Sequence, residues 1–225
     1  MSTEVYHIEP KLGEGIYLVK DVAKILHLDY AKTNRWIVGY WGSGLDENTQ
    51  YTFGEVGNRA INFFSLIEFY TFFKLREKGV SSIEIKKLHK ELSQVFSTPY
   101  PFAKANDFFV DGRKFKTFVY YGHLDNVIKL DKKHQISFKF IEKFLDKIEF
   151  DDNNIATRFF PLANSKNIVV DPKYQFGQPI VFGTNIKTQT LFSLYKGGET
   201  LEDIGSLYNL SVDKVQDAIT FQKAA

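Results

Sequence analysis

The apolar and polar positions of this chain predict a mostly helical protein with a few short strands. Between Val19 and Tyr40, apolar residues recur at helical spacing with one interruption, so the pattern predicts two short helices. Asn62 to Lys78 reads as one longer helix, closed by Gly79. Ser81 or Ser82 can cap the next helix, which runs to about Phe96 and stops at Ser97-Thr98-Pro99-Tyr100-Pro101. Phe108 to Tyr121 alternates around Asp111-Gly112 and predicts a hairpin. Ile136 to Ile148 returns to helical spacing. Glu149 to Asn154 is acidic and polar, and is the best candidate for a linker. Beyond it, Asn167 to Val170 and Pro179 to Phe182 read as strands, with Gly177 between them. Thr188 to Tyr195 is a short helix ended by Gly197-Gly198, and Leu201 to Tyr208 and Val212 to Phe221 form a last helix pair. The chain therefore divides near residue 152, into units 1–152 and 153–225.

The two helix pairs, one near each end, meet the mechanical needs of a helix-turn-helix. Such a unit needs a small residue at the crossing, a turn residue that accepts a left-handed backbone, and apolar contacts on both sides. In the N-terminal pair Ala23 is the small residue, His27 sits at the turn, and Asp29 can cap a second helix in which Trp36 and Ile37 face inward. In the C-terminal pair Gly205 is the small residue and Asn209 takes the turn. Thr200 and Ser211 serve as caps, and Ile204, Tyr208, Leu210, Val215 and Ala218 are the apolar set.

Charge separates the expected jobs of the two pairs. From Tyr30 onward the second helix of the first pair carries Lys32, Thr33, Asn34 and Arg35 and no acidic residue, which suits phosphates and base edges. The last helix sets Asp213 and Asp217 against Lys214, and carboxylates facing phosphates are repelled. The first pair is expected to read double-stranded DNA and the second to serve in protein contacts. Arg113 and Lys114 on the predicted hairpin could touch the DNA backbone as a wing, or form a solvated strand face.

Composition adds few constraints. The chain of 225 residues has 44% apolar residues, enough for a packed core, and 22 Phe. Its formal net charge is only +2, so any nucleic-acid surface must be a local patch. The absence of cysteine excludes disulfides, thiolate zinc sites and a thiol nucleophile. No secretory signal is visible, and the most apolar run, Ile61 to Phe73, is shorter than the roughly 20 residues a bilayer span needs. A cytoplasmic protein with no membrane contact is expected. That same run is apolar on every side, which means core packing or a dimer interface. The interface is favoured, with Phe64, Phe69, Phe72 and Phe73 as contacts, and Val215 and Ile219 as a second contact set.

Catalytic patterns are missing. The five histidines do not pair at metal-ligand spacing, and there is no H-E-x-x-H, Walker loop or G-x-S-x-G. Gly39-Tyr-Trp-Gly42-Ser-Gly44 lacks a phosphate-loop lysine. Asp151-Asp152 reads as an exposed acidic linker before it reads as a cation site, which needs further converging oxygens. No enzyme activity, cofactor or metal is expected.

Several segments resemble known families. Tyr17-Leu-Val-Lys-Asp-Val-Ala-Lys-Ile-Leu-His-Leu, with Phe64-Ser-Leu-Ile-Glu-Phe and Leu75-Arg-Glu-Lys-Gly-Val-Ser-Ser-Ile-Glu-Ile, resembles the MerR-like winged helix-turn-helix domain of VapB-type antitoxins. Ile168, Asp171-Pro172, Gly177-Gln-Pro179, Gly183-Thr184-Asn-Ile186, Gly198 and the final helix pair are similar to family 433 of the domains of unknown function. Asn185 stands where that family usually has Arg. The resemblance implies a type II antitoxin that represses its own operon as a homodimer or higher oligomer on two half-sites, and that binds a PIN-like ribonuclease toxin. The alternatives are a stand-alone helix-turn-helix transcription regulator without a toxin and a protein-interaction adaptor. The expected fold is mainly α with small β-hairpins (α+β): an N-terminal winged helix-turn-helix-like domain, then a C-terminal β-hairpin and helix-turn-helix domain.

Overall fold

The structure is a computed structural model, and it describes residues 6–7, 13–41, 49–55, 57–104 and 146–224. Among these residues it is mixed α and β, with seven α-helices and small two-stranded sheets.

The short strand Tyr17–Leu18 (β2; β1 is Tyr6–His7) leads directly into α1, Val19–Leu26. The Asp21 carboxylate accepts from the Leu18 N–H at 3.0 Å and so fixes the entry to α1. Helix α1 ends on His27, whose φ of 52° is left-handed. Two residues later Asp29 caps α2, Tyr30–Trp36, by accepting from the Lys32 N–H at 2.8 Å. A wider turn, Ile37–Trp41, follows. The chain then returns through β3, Thr49–Gln50, which pairs in parallel with β1. Next is β4, Ala60–Ile61, antiparallel to β2.

Helix α3, Phe63–Glu77, is the centre of the molecule. Asn62 caps it by accepting from the Ser65 N–H at 2.8 Å. Phe63, Leu66, Ile67, Phe69 and Phe72 are at most 1% exposed, so this helix is enclosed on all sides within one chain. Gly79 closes it with a φ of +85°, and Ser81 opens α4, Ser82–Phe96, through a capping box with Glu84. Around α3 pack α1, Ile37, α4, the Phe102–Lys104 turn, and the hairpin of β5 (Ile148–Phe150) and β6 (Ala156–Phe159).

Two expectations about the middle of the chain are corrected here. Asp146 and Lys147 form a turn and Ile148 begins β5, so the helix expected over 136–148 does not reach its C-terminal end; residues 136–145 lie outside the described residues. Glu149–Asn154 is not a linker. Glu149 and Phe150 are in β5, and Asp151 turns the chain by accepting from the N–H groups of Asn153 and Ile155. Residue 152 thus lies in a hairpin turn whose strands pair across it. The hairpin expected at 108–121, with Arg113 and Lys114, lies outside the described residues.

The C-terminal part is attached to this frame by a bridge between Phe159 and Val170. Strand β7, Ile168–Val169, pairs antiparallel with β8, Ile180–Val181. Three helices follow: α5, Thr188–Lys196; α6, Leu201–Tyr208; and α7, Val212–Lys223. They close a second core of Ile168, Val181, Leu191, Ile204, Val215, Ala218, Ile219 and Phe221. The loop between β7 and β8 crosses Tyr17, which is fully buried. Gly177 sits directly over its ring with a φ of +83°, and a Cβ there would run into the Tyr17 hydroxyl.

Candidate nucleic-acid interface

Both helix pairs form with the turn residues that the sequence indicates. His27 and Asn209 are left-handed, with φ of 52° and 51°. Each turn is closed in the same way: the Leu28 N–H donates to the Ala23 carbonyl and the Leu210 N–H to the Gly205 carbonyl, both at 2.8 Å. A Cβ on Gly205 would come within 2.9 Å of the Leu210 carbonyl oxygen, which is why the crossing needs a small residue there. Thr200 caps α6 by accepting from the Asp203 N–H at 3.1 Å, whereas Ser211 occupies the cap position of α7 without a side-chain bond.

The exposed face of α2 is Tyr30, Ala31, Asn34 and Arg35. Tyr30 is 53% exposed. Thr33 does not belong to this face. It is buried, and its hydroxyl donates to the Asp29 carbonyl at 2.8 Å, so it serves the helix start and offers nothing to a ligand. Lys32 is half-buried, with its ammonium 5.0 Å from the Trp36 ring centroid and 5.1 Å from that of Phe73. Trp36 in turn packs edge-on against Phe72 at 5.5 Å. The α2 face is therefore set by packing on α3, and its outward groups are one phenol, one amide and one guanidinium.

The aromatic contacts expected at a dimer interface are core residues. Phe69 and Phe72 are buried in the main core, Phe73 is buried at its edge against Trp36 with ring centroids 5.8 Å apart, and Phe64 is half-buried against Tyr100 with ring centroids 5.4 Å apart. Val215 and Ile219 are likewise buried, in the second core. The apolar groups that the C-terminal pair does expose are Leu207, 69% exposed, and Val212, on either side of the Asn209 turn. Leu207 is missed by helical-spacing arguments because it lies off the apolar stripe that predicts the core. Asp217, read in sequence as part of an acidic surface, is half-buried and accepts from Asn167 Nδ2 at 2.8 Å and from the Ser165 hydroxyl. Asp213 stays exposed, as does Glu202. Asn185 is exposed, and its backbone carbonyl accepts from Gln175 Nε2 at 3.2 Å.

Two polar arrangements lie outside these surfaces, one partly exposed and one buried. Arg158 clamps two carboxylates, donating to Glu149 Oε1 at 2.6 Å and to Asp171 Oδ2 at 2.8 Å. Asp171 is 3% exposed. Inside the main core, Glu68 Oε1 accepts from the Ala103 N–H at 2.8 Å, while Oε2 faces His89 Nε2 at 3.2 Å without the alignment of a hydrogen bond. Burial pushes the Glu68 carboxyl up, against the opposing pull of His89 and the Ala103 and Phe102 N–H groups. Both side chains are at most 1% exposed. Among the described residues no three His, Asp or Glu side chains converge as a metal site, and no helix is long and apolar enough to cross a membrane.

Residues 168–221 match the family model described as "Protein of unknown function (DUF433)". The DUF433 segment thus takes in β7, β8 and the C-terminal helix pair. Over 80 residues the chain is 28% identical to "Putative antitoxin VapB45" of Mycobacterium tuberculosis, covering 35% of this chain and 34% of that one. Over 56 residues it is 38% identical to "Uncharacterized protein Rv2308" of the same organism, covering 25% and 24%. The match spans about a third of the length of the first of these relatives and about a quarter of the second. The crystal structure of Rv2018 from Mycobacterium tuberculosis superposes with a TM-score of 0.70 at 20% identity, over 95% of this chain and all of that one. The fold, both helix pairs and frame together, is therefore a shared one.

Proposed function

We propose that this chain is an antitoxin-type autorepressor, which holds operator DNA on the exposed face of α2 and captures a PIN-like ribonuclease toxin through its DUF433 segment. It acts by binding, without turnover. The observation that carries the DNA half is a correctly turned helix pair whose outward groups, Tyr30, Asn34 and Arg35, include a base-reading amide and guanidinium and no carboxylate. Lys32 at the edge of the face, with Arg113 and Lys114, would supply phosphate contacts. The likeness to a protein named as an antitoxin supports the regulatory half of the reading. The toxin contact is assigned to Leu207 and Val212, because the C-terminal pair offers exposed apolar side chains beside Asp213 and Glu202. A dimer would set two α2 faces on half-sites about one helical turn apart, through surfaces other than the α3 aromatics.

The test is a gel shift with the DNA upstream of this gene, together with co-purification with the product of the adjoining reading frame. Specific shift is expected, weakening by about 10³-fold or more between 50 and 200 mM salt if several phosphates are contacted. Co-purification is expected to be lost on Leu207→Asp. An unshifted upstream fragment would remove the DNA assignment. A partner retained by Leu207→Asp would remove the assigned toxin surface.

A further inference from the structure

A groove of about 460 Å³ runs between the α1–α2 turn, the last turns of α3 and the β5–β6 hairpin. Its apolar lining includes Leu26, Leu28 and Phe73. Three lysines from three separate segments, Lys32, Lys74 and Lys147, line it. The ammoniums of Lys32 and Lys74 gather over one ring, 5.1 and 5.5 Å from the Phe73 centroid. Lys147 is half-buried and donates to the Pro161 carbonyl at 2.6 Å. The groups facing these cations are His27, Asp29 and Glu77. Asp29 is engaged in capping α2, and Glu77 pairs with Lys74 at 2.7 Å on the exposed end of a helix, an interaction of little net strength.

The groove is consequently short of negative charge where it is most enclosed. Burial first, and then the charge of Lys74, push the Lys147 ammonium down, and the nearby Glu77 carboxylate is spent on Lys74, while Lys147 donates to a neutral carbonyl. An anion seated at that point offsets the charge of Lys74 on Lys147. A bare phosphate would leave the apolar lining uncovered, whereas an aromatic body would cover it, and the volume falls within the range of small-molecule sites.

We propose that this groove binds a small aromatic carboxylate, its carboxylate held among Lys32, Lys74 and Lys147 and its ring laid on Leu26, Leu28 and Phe73. The site shares Lys32 with the edge of the α2 face and leaves its outward groups, Asn34 and Arg35, free.

The test titrates the full chain by calorimetry with 1-naphthoate, with the uncharged 1-naphthylmethanol, and with inorganic phosphate. Saturable binding of naphthoate is expected, with the alcohol and phosphate each at least tenfold weaker. Equal binding of the alcohol, displacement by phosphate at the same concentration, or no saturable binding of naphthoate overturns the proposal. Location is read on the unaltered protein by acetylation and mass spectrometry. Naphthoate is expected to protect Lys74 and Lys147 and to leave Lys166 reactive, although Lys166 also lies over a ring, that of Phe160. Protection spread evenly over all lysines overturns it. The double variant Lys74→Met with Lys147→Met is expected to lose at least tenfold in naphthoate affinity, and the footprint decides the matter if that variant does not fold.

Discussion

The His27 ring lies edge-on to Phe221, with centroids 5.3 Å apart, and its Nδ1 is 3.2 Å from the Ala224 carbonyl oxygen. The turn of the first helix pair is thus fastened to the end of the last helix of the second. His27 does two things at once: it takes the left-handed backbone of the turn, and it spans the two halves of the chain. Lys24 adds a second link by donating to Gln189 Oε1 at 3.1 Å.

The contact makes stability depend on pH. Burial pushes the His27 imidazole below its ordinary value, helped by the charge of Lys147 and opposed by the Ala224 carbonyl. The unfolded chain therefore takes up a proton there before the folded one does. The contribution of His27 is present above the unfolded value near 6.5 and is lost as pH falls through the folded value. Thermal melts from pH 5 to 8 should show this slope in the unaltered chain. It should be reduced in His27→Asn, which keeps the left-handed turn and cannot titrate. Equal slopes would remove His27 as the source.

Glu68 works in the opposite sense. Its carboxyl is raised, so its contribution to stability is full below the unfolded value near 4.5 and is lost as pH rises through the raised value. Glu68→Gln keeps an acceptor for the Ala103 N–H and removes the buried charge. The melting temperature of that variant relative to the parent should climb with pH. Glu68→Ala orphans the Ala103 N–H, and should cost about 1–3 kcal/mol by denaturant unfolding. Parallel pH profiles for parent and Gln variant would exclude the assignment.

On α2, exposure sorts the residues by role. Arg35→Ala and Asn34→Ala should each weaken operator binding by about 1–3 kcal/mol with little change in melting temperature, because both side chains are exposed. Thr33→Val should do the reverse. It removes the bond from the hydroxyl to the Asp29 carbonyl, costing about 1 kcal/mol of stability, and leaves the affinity of the folded protein unchanged. Fluorescence anisotropy beside thermal melts separates the two outcomes.

The Tyr17 hydroxyl is buried with no partner among the described residues, and burial, together with the charges of Asp171 and Asp21, holds it well above the ordinary tyrosine value. Tyr17→Phe should therefore stabilise the protein, by about 1 kcal/mol. Gly177→Ala should destabilise it, since the new methyl meets that hydroxyl and the backbone is left-handed. Combined, the two changes should be less damaging than their sum, because Phe withdraws the oxygen that the methyl strikes. Additive unfolding energies would show that the two residues do not meet as described.

Local signals carried well from sequence to structure. Asp29, Ser81 and Thr200 cap the helices they precede, and His27 and Asn209 turn as their positions suggest, because such preferences are settled by a few neighbouring atoms. What failed needed knowledge of distant partners. The run from Ile61 to Phe73 shows that its helix is covered, and nothing in its spacing tells whether the cover is the same chain or another. Glu149–Asn154 is polar enough to be a linker until Arg158 is seen to hold Glu149 and Asp151 to turn the chain. The groove lysines come from α2, α3 and the turn before β5, so no single stretch of sequence shows them together.

The Arg158 clamp bears on how the DUF433 segment can be transplanted. Residues 168–221 carry Asp171 but not the arginine that neutralises it, and Val170 but not the Phe159 backbone it bridges. A chimera cut at those limits would inherit a bare strand edge and a carboxylate stripped of its arginine. A workable graft begins upstream, at β5, and brings the hairpin with it.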